Sequence, residues 1–311
     1  MDTNKTSTFS IIIIALFGVL TVFGAIIFST HSARAAQATV DLRTASPFAI
    51  LSGTPNVTDA GNSSVITGNV GLSPATGSNI GIGCSQVTGT IYSVDAGGPP
   101  CRITNSPLLL TAKNNLTTAY NDAAGRTPLT TVPTELGGTT LIPGVYDSTS
   151  TTLEISSGAG ALVLDGQGDP SSVFIFQAPF EGTGLVVGPA STVTLINGAQ
   201  ACNVFWRVDS ASIDTTATFV GNILALNSIT VENGATIQGR LLARNGNVTL
   251  INDTITAPIC AGNDSADVTP GLPDTGEIMT ARNILVVAAG SVLLLTAIIS
   301  VLYIVRKKHS A

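Results

Sequence analysis

The stretch TFVGNILALNSITVENGATIQGRLLARNGNVTLIND, Thr218 to Asp253, places Gly-Asn-Ile-Leu-Ala and Gly-Arg-Leu-Leu-Ala 18 residues apart. Gly221 and Gly239 share that spacing, as do Ala225 and Ala243. The runs FVGNILA, SITV, TIQGRLLA and NVTLI are rich in Val, Ile and Thr and are separated by turn residues, which is the composition of strands. None is long enough for a wide sheet. A repeat this short, with three small strands per turn, suits a β-helix, in which each coil relies on its neighbours to bury its apolar side. One step earlier, CNVFW from Cys202 to Trp206 takes the place of GNILA at a spacing of 19.

The same texture extends upstream through TLEIS, ALVLDG, SSVFIFQ, GLVVG and STVTLI. Phe174, Phe176, Val204, Trp206, Ile223, Ala225 and Leu241 are the candidates for the inside of the stack. One segment departs from it. SPLLLTAKNNLTTAYNDAAGR, Ser106 to Arg126, carries Leu109, Ala112, Leu116, Ala119, Tyr120 and Ala123 on one stripe of period 3.6. That stripe predicts an amphipathic helix of about four turns lying along one side of the strands. Ser106 is suited to cap its start, Pro107 to the first helical position and Gly125 to its end.

The ends of the chain fix where it works. FSIIIIALFGVLTVFGAIIF, Phe9 to Phe28, is followed by the small residues of STHSARAAQA, so residues 1–38 read as a secretory signal cleaved near Ala36 or Ala38. An uncleaved signal anchor is the alternative, because the basic region holds Lys5 alone. ILVVAAGSVLLLTAIISVLYIV, Ile284 to Val305, runs 22 residues without a charge, enough to cross a hydrocarbon core of roughly 30 Å. The RKKH that follows, in residues 306–311, favours a cytoplasmic C-terminus. The body between is exported, with a domain at 39–260 and a short polar stalk at 261–271.

Net charge is -6, and the exported part is more acidic still once the basic tail is set aside. With no basic stripe to neutralise phosphates, nucleic-acid binding is not expected. Four cysteines, Cys84, Cys101, Cys202 and Cys260, lie in the exported body and allow three disulfide connectivities. The short loop between them favours Cys84 with Cys101, which leaves Cys202 with Cys260; buried free thiols are the alternative.

Before the C-terminal span stands LPDTG: Leu272, Pro273, Asp274, Thr275 and Gly276. Followed in order by a spacer, a span and a basic tail, it resembles the sorting signal of Gram-positive-type surface proteins. The resemblance implies a sortase that cleaves between Thr275 and Gly276 and joins Thr275 to an amine of the peptidoglycan.

GDPSSVFIFQ (Gly168 to Gln177), INGAQACNVFWRV (Ile196 to Val208), FVGNILALNSITV (Phe219 to Val231) and GATIQGRLLARNGNVTL (Gly234 to Leu250) resemble the bacterial and fungal ice-binding protein family. SPFAILSG, ITGNVGLSP and IPGVY fit as well, so the resemblance covers roughly Ala45 to Pro258. It implies an all-β solenoid with one flanking helix, specifically a discontinuous right-handed β-helix of triangular section with a long helix alongside. It also implies a monomeric ectodomain with one flat face that adsorbs to the surface of an ice crystal, without cofactor, metal or catalytic residue.

Several family members carry short Thr, Ala/Gly, any, Thr/Asn segments on that face. The matching places here are Asp59 to Asn62, Pro189 to Thr192, Thr215 to Thr218 and Asn233 to Thr236. The resulting candidates are Asn62, Thr192, Thr215, Thr216, Thr218, Asn233 and Thr236. Only the third segment begins with Thr, which weakens the expectation of strong growth inhibition more than that of ice binding. Ordinary turn chemistry would also place Asp, Asn and Gly at such corners. Thr194, Ser212, Thr230 and Thr249 form a second candidate row, expected to face outward on adjacent strands; plain β-propensity on a half-exposed face would produce it too.

Two other functions are weighed against this one. β-helices also serve polysaccharide-cleaving enzymes, which need paired carboxylates or a metal cluster at one place. The carboxylates here are scattered, and the two histidines, His31 and His309, lie in the processed ends. A wall-linked adhesin for glycans or another cell is the stronger rival. It would show a groove lined with exposed rings, whereas aromatics make up 5% of the chain and Trp206 is expected inside.

Overall fold

The computed structural model describes residues 37–148, 150, 152–178 and 184–260. The expected export signal, stalk, LPDTG motif, span and basic tail lie outside the described residues, except for Gln37 and Ala38. Among the described residues no helix is long and apolar enough to cross a membrane.

Short parallel strands stack in three ladders, one strand of each per coil. Along the first ladder lie Gly144–Ser148, Phe174–Ala178, Val204–Val208 and the second halves of the long strands Thr218–Ala225 and Thr236–Ala243. The second holds Leu153–Ile155, Leu185–Val187, Ala211–Ile213, Ile229–Val231 and Val248–Leu250. On the third are Leu162–Asp165, Val193–Ile196, the first halves of the two long strands, and Thr254–Thr256. The long strands turn from the third side to the first at the paired Gly221 and Gly239; Gly221 has a φ of 119°, which a side chain would resist.

Coil order does not follow chain order. The first coil, Phe48–Ser52, Val57–Asp59 and Val65–Thr67, stacks on the last: Ile50 pairs with Leu241, Val57 with Val248, and Val65 with Thr254. A second coil adds Asn69–Leu72, Ile80–Gly81 and Val87–Thr88 beyond it. The chain then returns along the stack as helix α1, Ser106–Gly125, and resumes at the far end with Leu129–Val132. The β-helix is therefore discontinuous.

Two hydrophobic clusters hold it. Inside the coils lie all seven inward candidates, each buried. Tyr146, Phe176, Trp206 and Phe219 make a column there, with Phe176 and Trp206 stacked at 3.9 Å and 9°. The Trp206 indole N–H donates to the Val220 carbonyl at 3.1 Å. Outside the first ladder, Phe48, Val145, Ile175, Phe205, Leu224 and Leu242 receive the apolar stripe of α1. The six predicted stripe residues are the six buried ones. Burying a leucine such as Leu109 or Leu116 contributes about 1.5–3 kcal/mol, which fixes the helix on this side.

Three local expectations need correction. The cap of α1 is Asn105, whose side chain accepts from the Leu108 N–H at 3.1 Å; Ser106 is already helical. At 20 residues and about 3.6 residues per turn the helix makes between five and six turns, with the stripe from Leu109 to Ala123 unbroken. CNVFW aligns with GNILA at a spacing of 17, with Trp206 beside Ile223. The short 3-10 turn Ala201–Asn203 takes up residues ahead of the strand. A two-residue shift preserves which side chains point inward.

Both disulfides form, Cys84–Cys101 and Cys202–Cys260. Arg240 is a buried cation of the stack. Its Nε donates to the Ser46 carbonyl at 2.7 Å, Nη1 to Asn222 Oδ1 at 2.8 Å and Nη2 to the Pro258 carbonyl at 2.9 Å. Burial pushes its pKa down to about 10, so it stays charged at neutral pH while tying three segments together.

Candidate binding surface

Since α1 covers the first ladder, the second and third sides are the ones left open among the described residues. On the third side, Thr218, Thr236, Thr254 and Val65 occupy one register position on successive strands, all exposed. Thr192 pairs with Thr218 and lengthens the row by one coil. Two residues along, Gln238, Thr256, Thr67 and Thr88 form a parallel exposed row. Between the rows Phe219, Ile237, Ile255 and Ile66 point inward. Strands in a ladder stand about 4.8 Å apart and alternate residues about 6.6 Å apart, so these side chains form a two-dimensional array. Neither row carries a charged residue.

The candidate residues thus divide between rows and corners. Thr192, Thr218 and Thr236 are in the first row, whereas Thr215, Thr216, Asn233 and Asn62 sit at the corner between the second and third sides. There Ala190, Thr216, Gly234, Asn252 and Asn62 all have φ between 53° and 80°. Asn and Gly accept this left-handed backbone readily, while a β-branched Thr does so at a cost on the order of 1–2 kcal/mol. Asn252 Nδ2 donates to Asn233 Oδ1 at 2.9 Å, and Ser63 donates to Asn252 Oδ1. Side chains along the corner are therefore held to one another.

Two carboxylates at this corner, Asp253 and Asp59, turn inward. Asp253, 1% exposed, accepts from the Ala235 and Ile251 N–H groups at 2.9 and 2.8 Å. Burial raises its pKa to about 6 against the pull of those two bonds. Asp59 accepts from the Ser64 N–H at 2.8 Å and from Gln86 Nε2 at 2.6 Å. Burial pushes it up, but its hydrogen bonds from Ser64, Asn252 and Gln86 hold it below the usual carboxylate range.

The second candidate row splits. Ser212, Thr230 and Thr249 do share a register position on the second side, continued by Thr58 and, at the other end, by Val186 and Glu154. Thr194 lies instead on the third side beside Val163, because its strand, Val193–Ile196, follows the corner at Ala190. This second side is also flanked by Asp214 and Glu232, one residue beyond its strands.

Thr254, Thr256, Thr67 and Thr88 were not foreseen. The signal for Thr254 was present in the sequence: Thr218, Thr236 and Thr254 follow one another at intervals of 18. Thr67 and Thr88 join the array only because the N-terminal coils stack on the last one, which no repeat period reveals.

Among the described residues no group of three or more His, Cys, Asp or Glu side chains gathers as a metal site would require. The described aromatic rings are buried apart from Tyr92, which is half-buried and packs on Phe48 at 5.8 Å.

Residues 50–256 match the family described as Ice-binding-like, and residues 264–310 match the LPXTG cell wall anchor motif. An ice-binding protein of Flavobacterium frigoris is 42% identical over 223 residues, covering 70% of this chain and 76% of the relative. One from a Colwellia species is 41% identical over 237 residues, covering 75% and 89%. The crystal structure of an ice-binding protein from an Antarctic biological consortium superposes with a TM-score of 0.61 at 40% identity. It covers 72% of this chain and 93% of that one.

Proposed function

The chain belongs to the Ice-binding-like family, and from that premise we propose that it is a wall-attached surface protein that adsorbs to ice through the third side of its β-helix. The observation that carries this reading is the uncharged double row of Thr218, Thr236 and Thr254 with Thr256, Thr67 and Thr88. Short threonines on a rigid ladder present methyl and hydroxyl groups with little rotamer entropy left to lose. Such an array organises water that then joins the crystal. A Lys or Glu there would hold its own hydration shell.

The corner residues Thr216, Asn233 and Asn62 extend the array along one edge. Ser212, Thr230 and Thr249 are the second-best surface, weakened by the carboxylates of Glu154, Asp214 and Glu232 around them. Residues 1–38 serve export, 39–260 fold as the ice-binding domain, and 261–271 are a stalk. A sortase acts at 272–276 while 284–305 holds the precursor in the membrane and 306–311 stays inside. The domain acts as a monomer, without cofactor or catalysis. Its buried aromatics argue against an adhesin for glycans, which would offer rings to sugar faces.

The test uses the fragment from Thr39 to Gly271, since the solved relative consists almost wholly of this domain. Fluorescent fragment should enter a growing ice hemisphere, and hysteresis on the same sample separates a growth inhibitor from an ice anchor. Exclusion of folded fragment from the ice would overturn the reading and leave the adhesin in its place.

A further inference from the structure

We propose that the Cys202–Cys260 disulfide is a mechanical strut that carries tension from the wall link into the middle of the stack and keeps the C-terminal strand of the threonine array from being peeled away. The inference rests on the reading of the chain as an ice-adsorbing, wall-linked protein. A cell held to ice by such a molecule pulls on it at two places. One is the array on the third side; the other is the chain beyond Cys260, which leads to the LPXTG anchor.

Without the disulfide, that pull would meet single hydrogen bonds at the Pro258 carbonyl and the Ala257 N–H and then the strand Thr254–Thr256. This strand has three residues and is held by short parallel pairings to Thr236–Gln238 and Val65–Thr67. Tension on one end of a short strand breaks its hydrogen bonds one after another. The next strands to come away would be Val248–Leu250 and then Thr236–Ala243. Thr254, Thr256 and Thr236 leave with them, so the peeled coil is part of the ice-facing array itself.

The disulfide blocks this route. Cys260 is bonded to Cys202, 58 residues earlier, and cannot move away while that bond holds. Cys202 leads directly into Val204–Val208, a five-residue strand in the interior of the first ladder, paired on both sides. Its Trp206 is fully buried and stacked on Phe176. Rupture there requires several pairings and an aromatic contact to fail together. Arg240 adds a second hold just ahead of the bond through the Pro258 carbonyl. The other disulfide, Cys84–Cys101, closes a short loop distant in sequence from this path.

The experiment is single-molecule pulling on the Thr39 to Gly271 fragment. One handle follows Gly271 and the other is attached at position 236 through a bio-orthogonal side chain. The oxidised protein should show no extension before one high-force rupture. In Cys202→Ser/Cys260→Ser, the first event should come at about half that force or less. It should release the 24 residues between position 236 and Cys260, about 80 Å of chain.

Reduction of already folded wild-type molecules is a second arm, valid even if the double variant folds poorly. Cys84→Ser/Cys101→Ser should behave as the oxidised wild type. Equal first-rupture forces with and without the Cys202–Cys260 bond, and no peeling step, would overturn the proposal. The measurement needs no ice, so failure of the ice reading would show in the uptake assay and not here.

Discussion

A Cβ added to Gly221 would lie 2.6 Å from the indole Nε1 of Trp206, and the backbone there has φ of 119°. Gly221 is thus the corner where the chain turns from the threonine rows on the third side to the helix-covered first ladder. Its two constraints, close approach and a left-handed φ, act together. Gly221→Ala should destabilise the domain by roughly 3 kcal/mol through overpacking and backbone strain. For a domain of this size that is about 6–12 °C in Tm, read by thermal unfolding of the fragment. An unchanged Tm would mean that the corner relaxes without cost.

Thr216 makes the opposite case. Its φ of 56° suits Gly or Asn, and the neighbouring coils place Gly234 and Asn252 at the same kind of corner. Thr216→Gly should therefore stabilise the fold, by on the order of 1 kcal/mol, while removing a methyl and a hydroxyl from the edge of the array. Denaturant unfolding and ice uptake on one sample should move in opposite directions. Unchanged uptake would remove the corner from the binding surface.

The rows themselves are separable by bulky substitution. Thr218→Tyr, Thr236→Tyr and Thr254→Tyr each lift the surface by one ring at an exposed position, leaving the inward residues untouched. Ice adsorption should fall several-fold in each, with Tm changed little, as expected for exposed positions. Thr230→Tyr, on the second side, should adsorb as the unaltered fragment does. The reverse pattern would move the site to the second side.

How far these residues were visible beforehand depends on what each position obeys. The coil repeat, the inward set and the helix stripe were legible because burial imposes a period, 18 on the coils and 3.6 on α1. The 3-10 turn at Ala201–Asn203 hid the true register of Trp206, since a turn consumes residues without changing the inward pattern. Asn105 was missed as the cap because Ser106 and Pro107 form an equally good start by residue type. The array was half visible. Thr218 and Thr236 stand out through the short Thr-bearing segments that resemble the family's, but the neighbours Thr67 and Val65 reach it through pairing of the first coil with the last, nearly 190 residues away in sequence. Pairing across that separation leaves no local trace. Thr194 and Ser212 both read as outward positions of adjacent strands, and only the corner at Ala190 separates their sides.

Attachment to the wall is tested at one residue. In a host with a sortase, Thr275→Ala should shift the protein from the wall fraction to the membrane fraction, because the altered motif no longer matches the LPXTG pattern that the enzyme recognises. Ice uptake by the purified Thr39 to Gly271 fragment is unaffected, as that fragment ends before the motif. Equal fractions for the two proteins would show that the motif is not processed.

Stability should have a minimum in pH set by two groups. The folded pKa of Asp253 is raised to about 6 from 3.8, so its ionisation opposes folding, and stability rises as pH falls from about 6 toward 4. Lys113, whose Nζ donates to the Ala243 carbonyl at 2.6 Å, is lowered to about 7 from 10.5 by burial and by nearby Arg244. Its protonation opposes folding, so stability rises as pH climbs from about 7 toward 10. Both costs apply in full between about pH 6 and 7. Thermal unfolding from pH 4.5 to 9.5 should therefore give the lowest Tm in that interval. Asp253→Asn should flatten the acid limb alone and Lys113→Met the alkaline limb alone. If neither variant alters its limb, these groups do not titrate across folding as their burial requires.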